Sequence, residues 1–191
     1  MLAKRLPNMK IILIIIGLLF QSPTFSQPAA SPVEVTAAIQ TKIKQDIEKQ
    51  IPTLRLKLEA RKANATEIDF TLDTFRVERF MTKWIDLDYS DPGMRSGIYA
   101  TANLYDSLLN KYYRKLLAVL KGDDKKNLVQ AQKLWLSFRD SELKLVELIS
   151  KAQYSGGGTI QQLTEASEYL SLIKGRTITL FNHYTRATQS E

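Results

Sequence analysis

The chain has 191 residues, with 27 Lys and Arg against 20 Asp and Glu, a formal net charge of +7, and no cysteine. The lack of cysteine excludes a disulfide framework, thiol catalysis and a cysteine-type metal site. Acidic residues alternate with basic ones along most of the predicted helices, whereas a nucleic-acid-binding protein concentrates its basic residues on one face. We therefore expect a globular chain that is stabilised by packing and does not bind nucleic acid.

Residues 1–26 have the pattern of a secretory signal peptide. Three basic residues precede the apolar run Ile11 to Phe20, and small residues follow at Thr24 and Ser26. The run is too short to cross a bilayer, which requires roughly 20 apolar residues. Residues 27–32 form a short linker after the expected cleavage site. Removal of the signal leaves 24 basic against 20 acidic residues, a charge of +4. We predict an exported periplasmic or extracellular chain without a membrane span after cleavage.

Residues 33–93 form a predicted N-terminal helical segment. Its first part has isoleucines four residues apart with polar residues between them, the pattern of an amphipathic helix: Ile39, Ile43, Ile47 and Ile51. Pro52 interrupts this pattern, which predicts either a kink or a second helix that begins near the proline. Thr66 is a possible N-cap for a largely buried helix that ends near Leu87. The sequence "DYSDPG", residues 88–93, is predicted to be a turn.

Residues 94–187 form a second predicted helical unit. A helix from about Ser96 to Lys121 ends at Gly122, and a second helix extends to about Gln153. After the loop "YSGGG", Thr159 begins a last helix that ends near Tyr184. Short loops between long helices are typical of antiparallel neighbours. The predicted fold class is all-α, an antiparallel bundle of about four to five helices with an N-terminal helical extension.

The stretch "AQKLWLSFRD", residues 131–140, places Trp135 and Phe138 on the apolar side of its helix, where they are expected to form the core with Leu170. Arg139 lies at the margin of this side.

Glu142 falls on the same apolar side and needs a partner, because a carboxylate buried without one costs several kcal/mol. Arg139 precedes it by three residues, and Arg176 can approach from the last helix. We predict that Arg139, Glu142 and Arg176 form a structural polar cluster. The alternative is an acid with a perturbed pKa in a cleft.

The order of these motifs resembles the lysozyme-inhibitor LprI N-terminal-type domain family over residues 94–184. The resemblance rests on "YDSLLNKYYRKLLAVL", "AQKLWLSFRDSE", the Gly-rich loop and "YLSLIKGRT". The matching positions are Leu109, Asn110, Ala131, Gln132, Trp135, Phe138, Arg139, Asp140, Glu142, Gly156, Gly157, Arg176 and Thr177. The resemblance implies a small exported helical domain, and the family name implies binding to lysozyme. Family members usually carry cysteines, whereas the aligned positions here are Leu143 and Glu168.

An inhibitor would fill the glycosidase cleft with a loop or an acidic side chain. A charge of +4 would repel a strongly basic animal-type lysozyme at long range, although a local acidic patch could still dock. The sequence "DLDYSD" is such a patch, and the candidate partner-binding residues in and beside it are Asp86, Asp88, Asp91, Trp84 and Tyr89. A calcium loop is excluded there because Asp91 and Gly97 stand where an EF-hand requires Gly and Glu.

No pattern marks a catalytic residue. The single His183 has no motif around it, and nothing in the sequence selects a pair of carboxylates of the glycosidase type. We therefore predict no metal, no cofactor and no enzyme activity. The favoured function is that of a non-catalytic envelope protein that binds a protein or cell-wall component through a helical face or groove, with exposed aromatic residues drawn from Trp84, Tyr89, Tyr99 and Tyr113. The alternatives are a lysozyme inhibitor and an uncharacterised hydrolase.

Overall fold

The computed structural model describes residues 31–188, so the predicted signal peptide and linker residues 27–30 lie outside the described range. The described residues form helices and no strand, which confirms the predicted all-α class. The helices are α1 (Ala37–Glu48), α2 (Ile51–Ala60), α3 (Ala65–Leu87), α4 (Asp91–Val119), α5 (Asp123–Ile149), α6 (Ala152–Ser155) and α7 (Thr159–Thr188). The described residues from Pro32 onward form one compact unit. Among residues 31–188, no helix has an apolar stretch long enough to cross a membrane.

The proline in the N-terminal segment begins a new helix. Pro52 lies in the first turn of α2, where the lack of an N–H removes no helical hydrogen bond. This position selects the second of the two predicted alternatives. The isoleucine pattern of α1 buries Ile43 and Ile47, which pack with Phe80 and Trp84 of α3.

The helix caps differ from the predicted ones by a few residues. Asn64, not Thr66, caps α3, because its side chain accepts a hydrogen bond from the Glu67 N–H at 2.9 Å. The predicted turn over residues 88–93 is shorter, because α4 begins at Asp91. Ser90 caps α4 by accepting from the Gly93 N–H at 3.1 Å. Pro92 therefore starts this helix instead of breaking one.

The centre of the bundle is formed by α4 and α7, which pack together more extensively than any other pair of described helices. Three contacts set their direction. The Thr159 hydroxyl donates to Asp91 at 2.8 Å, the Thr177 hydroxyl donates to the Tyr105 carbonyl at 3.2 Å, and the Tyr112 and Phe181 ring centroids are 5.4 Å apart. Residue numbers rise together along both helices, so α4 and α7 are parallel. The short loops between consecutive helices predicted antiparallel packing, and nothing in the sequence indicated this parallel pair.

Two polar bridges join α3 to the central pair. Asp73 accepts hydrogen bonds from Lys111 Nζ at 2.5 Å and from the Tyr112 hydroxyl at 2.9 Å. Glu78 accepts from the Tyr105 hydroxyl and pairs with Lys174 Nζ at 2.6 Å. Residue numbers fall along α4 as they rise along α3, so these chain neighbours are antiparallel, as expected from their short connection.

The outer position of α5 overturns part of the predicted core. Leu128 is the only residue of α5 that is buried. Trp135 packs partly buried against the central core and Leu170 is buried within it, as predicted, but Phe138 is 53% exposed. Phe138 lies about 60° around the helix from Trp135. No element in the described part of the chain covers that flank, which also exposes Leu134, Leu145 and Ile149.

Candidate binding site

A groove of about 290 Å³ opens between α4, α5 and α7. We call it the tyrosine groove. Its lining combines two tyrosine rings, two carboxylates and two aliphatic side chains: Tyr99, Tyr169, Glu147, Glu165, Leu143 and Val146.

The parallel packing of α4 and α7 brings the two tyrosines together. Tyr99 follows the start of α4 by about two turns, and Tyr169 follows the start of α7 by almost three. Their ring centroids are 6.1 Å apart at an angle of 46°. Tyr99 is 41% exposed and Tyr169 is partly buried. One wall of the groove is therefore aromatic and reachable from solvent.

The acidic side chains of the groove have no cationic partner among residues 31–188. Glu147 of α5 is exposed and Glu165 of α7 is partly buried. Every ion pair between described residues leaves both carboxylates out. Within residues 31–188, no group of three acidic or His side chains could hold a metal ion. Carboxylates beside aromatic rings are instead the chemistry that binds a guanidinium or ammonium group.

The two arginines of the predicted polar cluster meet at Trp135 and not at Glu142. Arg139 donates to Asp140 Oδ1 at 2.9 and 2.6 Å, and Arg176 Nε donates to Gln132 at 3.0 Å. The guanidinium carbon of each arginine lies 5.6 Å from the Trp135 ring centroid. Neither arginine pairs with Glu142 among the described residues, so Trp135 is the group that joins them.

The physical reason for this correction is local. Arg139 reaches the adjacent carboxylate, and the face of an indole ring attracts a guanidinium. Burial lowers the pKa of Arg176. Because Glu142 is only partly buried, water can solvate its carboxylate and no protein cation is required.

The residues predicted to contact a partner near the α3–α4 corner are largely structural. Trp84 is buried, and its Nε1 donates to the Gly93 carbonyl at 3.0 Å. Asp88 is also buried and accepts from the Ser90 hydroxyl at 2.6 Å. These bonds fix the corner, so neither side chain faces solvent.

The other three residues that were predicted to contact a partner are not buried at the α3–α4 corner. Asp91 holds the start of α7 through Thr159, while Asp86 and Tyr89 are exposed. The acidic stretch therefore does not form the continuous exposed patch that its sequence predicts.

Four of the six groove residues had no signal in the sequence beyond their helical positions. Tyr99 was a candidate exposed aromatic residue and Leu143 a family position, but Glu147, Glu165, Tyr169 and Val146 read as ordinary helix residues. Only the parallel arrangement of α4 and α7 brings residues 99 and 169 together.

The comparison with known proteins finds a family match over the segment that contains this groove. A family model described as "Lysozyme inhibitor LprI" matches residues 88–180. No curated protein and no solved structure matches the chain. The matched range includes the Trp135 motif and every residue of the tyrosine groove. The match over residues 88–180 confirms the resemblance to the LprI lysozyme-inhibitor family that the sequence motifs indicated.

Proposed function

We propose that this protein is an exported, non-catalytic binding protein that captures a basic protein through the tyrosine groove, and that its partner is a lysozyme. The observation that carries the proposal is the pair of carboxylates beside Tyr99 and Tyr169, Glu147 and Glu165, which no cation in the described part of the chain pairs with. This set is complementary to an Arg or Lys side chain.

The expected contact has two components. A cation over an aromatic ring contributes about 0.5–2 kcal/mol, depending on how far it is desolvated. Hydrogen bonds from a guanidinium to a carboxylate are roughly twice as strong as neutral ones. One docked Arg could use both components, since the rings and the carboxylates line the same groove.

The positive charge of the chain does not prevent this contact. The expected charge of +4 repels a basic partner at long range, but charges farther apart than about 8 Å are largely screened at physiological salt. A carboxylate in direct contact with an arginine is screened much less. At close range, the attraction between the carboxylates of the groove and a basic side chain therefore outweighs the repulsion from the overall charge.

The family match supports lysozyme as the partner, because the matching family model is described as a lysozyme inhibitor. It also favours binding over catalysis. The signal-peptide pattern of residues 1–26 supports export, which would bring the protein to the compartment where lysozymes attack the cell wall.

The test is a titration of the purified protein into a turbidity assay of cell-wall lysis by an animal-type lysozyme, at physiological salt. We expect dose-dependent inhibition near a stoichiometric ratio. The double variant Glu147→Gln/Glu165→Gln should inhibit at least tenfold less well. The matched control is Glu34→Gln/Glu59→Gln, which removes two exposed carboxylates that do not line the groove.

Binding is measured in parallel by calorimetry, because a protein can bind lysozyme without blocking its cleft. Absence of both binding and inhibition would refute the proposal. An equal loss in the two double variants would show that total charge, and not the groove, governs the interaction.

A further inference from the structure

A second groove lies outside the family match, between α1 and α3, and has a volume of about 660 Å³. This is more than twice the volume of the tyrosine groove and within the range of small-molecule sites. Its lining combines aliphatic side chains with an excess of basic ones. We call it the cationic groove.

The aliphatic part of the lining is a straight strip on α1. Ile39, Ile43 and Ile47 line the groove at successive turns, with the buried Ile43 and Ile47 at its floor, and Leu87 of α3 also lines it. Eight residues of helix extend about 12 Å. The strip could therefore hold an alkyl chain along its length.

The basic part of the lining has more cations than the groove neutralises. Lys42, Arg79 and Lys83 line it together with Asp46 and Asp86. Asp46 is bonded to Lys49 at 2.7 Å, and Lys49 is not part of the lining. Asp46 also interacts electrostatically with Lys42 and Lys83, so the three cations of the lining face two carboxylates, one of which is shared with Lys49.

Arg79 has an unmet hydrogen bond. Its Nε is buried, and no hydrogen-bond acceptor in the described part of the chain reaches it. One helical turn earlier, Arg76 is fully engaged by Glu48 at 2.6 and 3.0 Å. Buried donors in native proteins normally have an acceptor, and an unmet one on a charged group is destabilising. Arg79 lines the groove, so a small rotation of its side chain would bring the guanidinium against an anionic ligand there.

We propose that the cationic groove binds an amphiphile with an anionic head group, a carboxylate or a phosphate. The alkyl chain lies along the isoleucine strip, and Arg79, Lys42 and Lys83 bind the head group. This site is independent of the proposed lysozyme binding, because all of its residues precede the matched family segment.

The test is calorimetric titration of the purified protein with three probes below their micellar concentrations: decanoate, decyl phosphate and decyl glucoside. We expect one anionic probe or both to bind with a stoichiometry of about one, and the uncharged glucoside to bind at least tenfold more weakly, a difference of about 1.4 kcal/mol. The preference between decanoate and decyl phosphate identifies the head group. Equal affinity for all three probes, or no binding, overturns the proposal.

Variants locate the site. Arg79→Gln should weaken binding of the preferred anionic probe at least tenfold. Arg61→Gln should leave it unchanged, because Arg61 is an exposed residue at the C-cap of α2. If Arg79→Gln lowers the thermal midpoint, the double variant Lys42→Gln/Lys83→Gln takes its place, because Lys42 is exposed and Lys83 only partly buried. Unchanged affinity in a folded variant would place the ligand elsewhere and refute the assignment.

Discussion

The bridge from α3 to α4 through Asp73 is expected to be a major contributor to stability. The Asp73 side chain is 14% exposed and accepts hydrogen bonds from Lys111 and from Tyr112, which is fully buried. We expect Asp73→Asn to lower the free energy of unfolding by about 2–3 kcal/mol, because hydrogen bonds to a charged group contribute about 1.5–3 kcal/mol each.

The estimate is smaller than the sum of two such bonds for a structural reason. Lys111 is 37% exposed and can regain water, and the asparagine oxygen can still accept from the tyrosine hydroxyl. For a chain of this size, a loss of about 2–3 kcal/mol corresponds to a thermal midpoint lower by about 4–12 °C.

The assay is urea unfolding at pH 7 followed by tryptophan fluorescence, with thermal unfolding by circular dichroism as a second probe. Asp140→Asn is the matched control, because Asp140 also accepts from a basic side chain but is 58% exposed. Exposed pairs contribute less than about 1 kcal/mol. Equal losses in Asp73→Asn and Asp140→Asn would refute the reasoning.

Three further predictions concern other parts of the bundle. Burial raises the pKa of Glu78, but hydrogen bonds from Lys174 and Tyr105 outweigh it and lower the pKa below the ordinary 4.5. This carboxylate therefore contributes stability that is present above pH 4.5 and lost as pH falls through the lower folded-state pKa. Between pH 7 and pH 3, Glu78→Gln should lose less free energy of unfolding than the unsubstituted protein, as measured by urea unfolding at the two pH values. An equal loss in both proteins would contradict this. Gly97→Ala should lower the free energy of unfolding by about 1–3 kcal/mol, because a Cβ there would lie 2.7 Å from the indole of Trp84; thermal unfolding measures this, and a neutral effect would mean that the ring moves freely. Phe138→Ser should change stability by less than about 0.5 kcal/mol, whereas Leu180→Ala, at a fully buried position, should cost about 2–5 kcal/mol; the reverse order in urea unfolding would mean that the α5 flank is covered.

The sequence was sufficient for features that depend on neighbouring residues. Helical periodicity predicted the all-α class, and Pro52 predicted either a kink or the break that separates α1 from α2. The cap of α3 was misplaced by two residues because Asn64 and Thr66 are both good caps and only the path of the backbone selects one. The same limit applies to Ser90 and Pro92, whose local pattern fits a turn as well as a helix start.

Features that depend on distant residues were not predictable in the same way. A helical wheel shows that Phe138 is on an apolar side but not whether another helix covers that side. Likewise, the loops indicate how consecutive helices run, whereas the parallel contact of α4 and α7 joins helices separated by α5 and α6. The tyrosine groove depends on that contact, so its two glutamates could not be distinguished from other surface acids.

The loose attachment of α5 has a consequence for local unfolding. Gly122 precedes this helix with φ of 52°, and Gly156, Gly157 and Gly158 beyond its other end all have positive φ. Leu128 is its only buried residue, and Trp135 packs partly buried against the central core. In native-state hydrogen exchange, the amides of α5 should therefore exchange together and well before those of α4 and α7. Because Leu143, Val146 and Glu147 belong to α5, the same opening would dismantle the tyrosine groove while the central pair of helices stays folded.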